Sequence, residues 1–395
     1  MAHKPLQGIR VLEIAAYISG PYAGAILASL GAEVVKIEPP GGEAFRRNDG
    51  NRSAYFVQYN VGKKSVALDL KAAPAIEAIK ATLPRFDVLI ENMRPGKMNQ
   101  LGLGADICRA INPRLVYTAV SGFGSGGPLV DRPAYDSIGQ SIGGLYSIMN
   151  DPGDVRLTGT CMADLITGIN VALGILAALV GCPGAGGRGV HIETSVMEAV
   201  STLTIDALTQ AFDEGLDPVR QTRHPQAQNF CLRTASGDSI TMHLSSSEKF
   251  WRALLRATGR DDLLADPRFT RFQDRVIPEH YFIIKGIMEA EFIRHPRDEW
   301  ERRLTAADVP YAPALTIREV ARHPQMEWLG MMDESDNGRA LVRAPWRFDG
   351  TRPERDHHAP HVGEHTREVL TELLGADAVA ALIDARAAVA PSNVA

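Results

Sequence analysis

The chain has 395 residues and a net charge of −5, with charges of both signs mixed along its length. At 45% hydrophobic and 23% charged residues it has an ordinary globular composition, long enough for two or three domains or one large domain with an insertion. A nucleic-acid or anionic-membrane partner would favour a basic face, and this balance argues against both.

The N-terminal stretch MAHKPLQGIRVLEIA lacks the apolar core of a signal peptide. Ile9–Ala15 reads as a short apolar strand. Pro21–Gly31 reads as a helix with Pro in its first turn and Gly at its end, and Glu33–Gly42 as a second strand stopped by prolines. This is a βαβ unit, in which buried parallel strands show as Val/Ile runs. The alternation continues with a helix at Ala72–Pro84 and strands at Phe86–Met93, Arg114–Gly124 and Gly189–Val196. Together these predict an α/β fold, a parallel sheet with helices on its faces. The apolar run from Leu165 is broken by Thr167, Gly168 and Asn170. It is expected to be too short and too interrupted to cross a bilayer, which needs about 20 apolar residues. The character changes after residue 210. Arg223–Ser246 reads as two strands joined by a Ser-Gly-Asp turn, and Ser247–Gly259 as an amphipathic helix. A smaller α+β domain is expected at 226–320, and the tail Arg386–Ala395 is expected to fray.

Few motifs carry chemistry by themselves. GFGSGG (Gly122–Gly127) matches G-x-G-x-x-G after a strand, but a dinucleotide site needs a helix directly behind the glycines. Two prolines follow instead, so the glycines read as a tight loop near a ligand. Cys182–Ile192, also Gly-rich, reads as a plain helix-to-strand connection. His357, His358, His361 and His365 have near-helical spacing, but Pro360 and Gly363 interrupt it and there is no HExxH, so no metal site is predicted. Cys108, Cys161, Cys182 and Cys231 are scattered without a CxxC, which points to a reducing, cytoplasmic setting. No G-x-S-x-G elbow supports a serine hydrolase. There remains Asp164, the one acid in GTCMADLITGINVALGILAALVG (Gly159–Gly181). As an N-cap it would accept orphan backbone N–H groups. As a nucleophile it would use the same helix N-terminus to stay ionised near neutral pH and attack a carbonyl. The residues alone leave both open.

Several stretches occur in an order that resembles the class III CoA-transferases, the family of formyl-CoA transferase and carnitine CoA-transferase. They are GIRVLEIAAYISGPYAGAILASLGAEVVKIEPPGG, GKKSVALDLK, ENMRPGKMNQLGLG, NPRLVYTAVSGFGSGGPLVDRPAYDSIGQSIGGL, MADLITGINVALGILAAL and GRGVHIETSVMEA, with APHVGEHTREVLTELLG near the end. The resemblance implies a Rossmann-like large domain from residues 1–210 and a returning segment 321–395, with the smaller domain inserted between them, and an interlocked homodimer. It implies that Asp164 attacks an acyl-CoA thioester, giving an aspartyl–acyl anhydride and then an aspartyl-CoA thioester from which an acceptor acid takes CoA. An acyl-CoA donor and a carboxylic acid acceptor are then the partners, with coenzyme A as substrate and no tightly bound cofactor. Ile18, Leu68, Lys71, Asn92, Met93, Arg94, Tyr135 and Asp136 match positions at the coenzyme, and Tyr55 and Gln140 the substrate pocket. The related acyl-CoA racemases carry a His where this chain has Tyr135, a poorer base at neutral pH. A non-catalytic CoA-binding subunit would not need Asp164. Formyl-CoA transferase has a Gln at the position of Ile18 and an Arg at the position of Pro39, so a different and more apolar acyl chain is expected.

Overall fold

The computed structural model describes residues 4–181 and 187–391. Seven strands make the main sheet: β1 (Arg10–Ile14), β2 (Glu33–Glu38), β3 (Lys64–Leu68), β4 (Val88–Glu91), β5 (Val116–Ser121), β6 (His191–Ser195) and, from the far end of the chain, β12 (Ala388–Val389). Their order is β12-β3-β2-β1-β4-β5-β6. All pairs are parallel except β12, which runs antiparallel to β3. The chain builds outward from β1 in one direction and from β4 in the other. The crevice at the carboxyl ends of these two neighbours is where open α/β sheets bind ligands.

Alternation of side chains along each strand gives the sheet two cores. Leu12, Val35, Val66, Leu89 and Tyr117 pack with helices Ala73–Thr82, Thr366–Leu374 and Ala376–Asp384. Val11, Val34, Val88, Ile90 and Val116 pack with helices Ser19–Ser29 and Met162–Gly181. The latter is continuous over 20 residues despite its polar interruptions, and is long and apolar enough to cross a bilayer. The expectation that it is too short and too broken is therefore corrected. Its inner side packs on the sheet through Val171, Ala172 and Ile175.

The five strands read from sequence are present, each shorter at its ends. Two were missed. The predicted frayed tail contains β12, which pairs Ala388 with Leu68 and Val389 with Ala67. β3 was hidden by its polar start, Lys63–Ser65, whose Lys63 and Ser65 are buried.

They are buried because they belong to a network of charges inside the fold. Glu13 on β1 takes Lys36 Nζ at 3.0 Å and Lys63 Nζ at 2.7 Å on its two oxygens. Glu38 receives the Arg46 guanidinium at 2.6 and 2.8 Å and the Ser65 hydroxyl. Glu43 receives Asn60 at 3.3 Å and lies 3.7 Å from Lys36. Burial pushes the Lys63 ammonium down to about 8 despite Glu13. A Cβ on Gly24 would stand 2.0 Å from the Glu13 carboxylate, so this helix position must lack a side chain.

The chain divides into two compact units. The first takes the residues up to Tyr146, Arg156–Leu208 and those from Gln325 on; the second takes Ser147–Val155 and Thr209–Pro324. The first also holds the hairpin of β10 (Met332–Glu334) and β11 (Ala340–Val342). In the second, β7 (Asn229–Arg233), β8 (Ser239–His243) and β9 (Tyr311–Pro313) form an antiparallel sheet. The Ser-Gly-Asp turn stands between β7 and β8 as read. One face of this sheet packs Phe230, Leu232, Ile240 and Met242 against Trp251, Phe292 and Trp300.

Helices Ser19–Ser29 and Met162–Gly181 touch closely at Gly168, where a Cβ would meet the Ser19 carbonyl and the Tyr22 ring at 2.9 Å. At Gly174 the nearest atom, on Ile192, is 3.5 Å away, an ordinary contact. Substitutions on one helix should therefore have opposite signs. Gly168→Ala should lower stability by about 1–3 kcal/mol, and Gly174→Ala should raise it by about 0.5–1 kcal/mol. Thermal melts of the two variants check this; equal shifts would contradict the packing.

Candidate active site

The helix carrying Asp164 begins at Met162, so Asp164 lies in its first turn and is not its cap. The cap comes from elsewhere. Asp136 opens helix Asp136–Ile142, and its Oδ1 accepts from the backbone N–H groups of Ala163 at 2.9 Å and Asp164 at 3.2 Å. The side chain of Gln140 holds the other oxygen of Asp136 at 2.6 Å, and Thr158 Oγ1 donates to Gln140 at 2.7 Å. The favourable end of the helix dipole is thus used by Asp136.

Asp164 is half-buried, and among the described residues no hydrogen bond reaches its carboxylate. Burial first, and the charge of Asp136 second, push it up to about 7. The expectation of an acid held ionised by the helix N-terminus is corrected: Asp136 takes that stabilisation, leaving Asp164 with desolvation and a like charge. Tyr59 lies close by, its hydroxyl 4.0 Å from Cys161 Sγ.

Asp164 faces a cleft of about 240 Å³ whose walls include Tyr17, Asn92, Arg94, Gly122, Arg132 and Tyr135. This cleft lies in the crevice between β1 and β4. Tyr17 sits in the loop after β1 with φ +67°, a left-handed conformation rare for an aromatic residue. Three ties hold it there. Glu43 accepts from the Tyr17 N–H at 3.0 Å, Lys36 donates to the Ala15 carbonyl at 2.6 Å, and the Asn92 amide bonds both the N–H and the C=O of Ala16. Strain of this kind persists where the surroundings over-determine it.

A second cleft, of about 560 Å³, is lined by Ile37, Pro39, Leu68, Lys71, Asn92 and Met93. Tyr17, Asn92 and Met93 belong to both clefts, so the two form one groove from the ends of β2 and β3 to Asp164. The Lys71, Arg94 and Arg132 side chains have no carboxylate partner among the described residues. They leave cations along the groove for phosphate or carboxylate groups.

The structure thus brings together Leu68, Lys71, Asn92, Met93, Arg94 and Tyr135 with Asp164. It does not bring Ile18 or Gln140 to the groove. Ile18 is buried and lines neither cleft, so the apolar acyl preference inferred from it loses its support. Gln140 is buried behind Asp136 as its support. Asp136 itself acts on the helix and lines neither cleft. Tyr55 is exposed, beneath the Arg47 guanidinium at 4.0 Å, and reaches Tyr17 only through Phe45. Tyr17, Arg132, Glu43 and Thr158 were missed. Of these only Tyr17 left a trace, an aromatic residue at a strand-to-helix turn where Gly is common.

The remaining motifs fall into place. No helix follows GFGSGG directly; Gly124 N–H bonds Ser121 Oγ at 2.8 Å, and Gly122 lines the Asp164 cleft. Residues 182–186 of the second Gly-rich segment, Cys182 among them, lie outside the described residues. The four histidines precede helix Thr366–Leu374 on irregular chain, where His358 bridges Asp336 and Glu364. The described residues contain no cluster suited to a metal ion.

Residues 6–366 match CoA-transferase family III. The acetyl-CoA:oxalate CoA-transferase of Acetobacter aceti is 33% identical over 338 residues, covering 84% of this chain and 86% of its own. The succinate–glutarate CoA-transferase of Agrobacterium fabrum is 31% identical over 391 residues, covering 93% and 96%. The crystal structure of a CAIB/BAIF family protein from Brucella suis aligns with a TM-score of 0.81 at 28% identity, over 94% of this chain and all (100%) of that one. That of a hypothetical protein from Mycobacterium tuberculosis aligns with a TM-score of 0.83 at 30% identity, over 93% and 99%. The chain belongs to CoA-transferase family III, enzymes that pass coenzyme A from an acyl thioester to a carboxylic acid.

Proposed function

We propose that Asp164 is the covalent nucleophile of CoA transfer between short carboxylic acids. The observation that carries this is an unpaired, half-buried carboxylate at the end of a groove with free cations along it. The Asp164 carboxylate attacks the thioester carbonyl, the C–S bond breaks, and CoA thiolate leaves an Asp164–acyl anhydride. The thiolate then attacks the Asp164 carbonyl, and the donor acid departs as carboxylate. The acceptor carboxylate attacks the resulting Asp164 thioester and expels thiolate. Return of the thiolate to the acceptor's carbonyl forms the new acyl-CoA and frees Asp164. No step needs a net proton transfer, so the route asks for no general base. The Gly122 loop lines the cleft, and its backbone N–H groups would stabilise the tetrahedral oxyanions. Opposite Asp164 stands Tyr135 rather than an imidazole, which favours transfer over racemisation.

For the acceptor we infer a dicarboxylic acid, as the names of both relatives suggest, with Arg132 pairing the carboxylate that does not react. The active form is inferred to be a homodimer. Ile169, Leu173 and Val180 make one stripe along the Asp164 helix and are 45%, 62% and 82% exposed, an apolar face suited to a second copy. The free thiols of Cys108, Cys161 and Cys231 support a cytoplasmic setting.

Intact-mass spectrometry after incubation with succinyl-, acetyl- or formyl-CoA should show a hydroxylamine-labile adduct on wild type and none on Asp164→Ala. The same adduct on both proteins, or on neither, would overturn the assignment. The rate of adduct formation should rise with pH through about 7, where Asp164 ionises. Asp136→Asn removes the like charge, so its rise should come at lower pH. Because folding raises the pKa of Asp164, its ionisation opposes folding above the unfolded value near 4 and fully so above 7. Asp164→Asn should therefore melt higher at pH 8, by about 1–3 kcal/mol, and show no such gain at pH 4. Arg132→Gln should raise KM for a dicarboxylic acceptor about 10- to 100-fold while leaving adduct formation from the donor intact; steady-state kinetics with succinate against butyrate checks it.

A further inference from the structure

The second unit holds a cavity of about 420 Å³ that CoA transfer by Asp164 does not use. Its floor is the outer face of the β7–β8 pair, where Cys231 stands opposite Thr241 and Asn229 opposite His243. Phe230 and Tyr281 border it from the core side, each only 1% exposed. Three basic side chains line it from other segments: Arg220, His224 and, on helix Pro278–Phe292, Lys285.

Among the described residues the lining holds basic groups and no acid. Arg220 is paired with Asp151 at 3.0 Å through Nε and 2.7 Å through Nη2, leaving Nη1 unused in that pair. Lys285 meets Glu289 with one of its three donors. The His224 imidazole reports the local field: burial first, then Arg220, Arg223 and Lys285, hold it below the usual histidine range. His224 Nδ1 and Asn229 Oδ1 are both buried without a partner, an unusual state for polar atoms inside a fold. Convergent basic groups, a lining without an acid and unsatisfied polar atoms describe a site for a small organic anion.

We propose that this cavity is a binding site for a small organic carboxylate, with Lys285 and Arg220 pairing its carboxylate above the β7–β8 floor. The site stands on the second unit's own residues and does not rest on the role of Asp164.

Cys231 is exposed in the cavity and serves as a built-in reporter. Its alkylation by iodoacetamide in the full-length protein, followed by peptide mass spectrometry, should slow at least fivefold and saturably with succinate or glutarate. Sodium chloride at the same ionic strength should not slow it. Lys285 is a partly exposed residue whose loss leaves the core intact. Lys285→Met should abolish the protection, and Lys285→Arg should retain it. The proposal is overturned if neither acid protects Cys231, if protection is equal in Lys285→Met, or if inorganic phosphate protects and the carboxylates do not. A Cys231 that reacts only after denaturation would also overturn it, because the cavity would then be closed to ligands.

Discussion

The active-site groove depends on a carboxylate that never touches it. Glu13 lies inside the sheet between two ammonium groups, and two of the three ties on the loop after β1 lead back to that cluster, the third coming from Asn92. Lys36, held by Glu13, donates to the Ala15 carbonyl, and Glu43, beside Lys36, accepts from the Tyr17 N–H. The neighbouring branch, through Glu38, Arg46 and Ser65, reaches the returning segment at the Pro360 carbonyl and the Gly363 N–H. Buried ion pairs add little net stability over apolar replacements, yet removing one partner costs about 3–5 kcal/mol. The cluster's contribution here is geometric. It fixes a strained aromatic residue at the wall shared by both halves of the groove.

That arrangement explains what could be read from sequence. Val11, Val34, Val88 and Val116 belong to strands buried on both faces, and such strands announce themselves as apolar runs. β3 did not, because its first turns of chain carry Lys63 and Ser65 into the interior as ions and hydrogen-bond donors. β12 did not, because two residues of Ala and Val have no period to detect. At the site, Asp164 was legible as a lone acid in an apolar helix, but its environment was not. The N-cap rule pointed at Asp164 itself, whereas the cap is Asp136, 28 residues earlier, brought in by the tertiary fold. Gln140 was read as a pocket residue from the family resemblance. One helical turn from Asp136, it points back at that carboxylate and away from the groove.

The pairing of Asp136 with Asp164 bears on chemistry through basicity. Two neighbouring acids have been given different surroundings. Asp136 is surrounded by donors, and Asp164 has none and is desolvated. A carboxylate whose proton leaves near 7 is a stronger nucleophile when ionised than the acids it exchanges, whose proton affinities are lower. In the proposed anhydride, thiolate can attack either carbonyl. Attack on the Asp164 side expels the donor acid, the weaker base and better leaving group. Attack on the acyl side expels Asp164, the stronger base. On the proposed route the raised basicity would therefore carry the first half-reaction toward the aspartyl-CoA thioester.

The same difference opposes the second half, in which Asp164 must leave from the acceptor's anhydride. On the proposed route such an enzyme would load readily and unload slowly, with CoA resting on Asp164 during turnover. An acceptor dicarboxylate, whose second carboxylate the proposal pairs with Arg132, would displace water from the cleft and so keep that basicity high rather than relieve it. How far Asp164 departs as an anion then depends on how well the Asp136-capped helix end can still share its N–H groups. On the proposed route the cap that adds to the nucleophile's basicity, after burial, would also limit its departure, so that Asp136 bears on both directions of transfer.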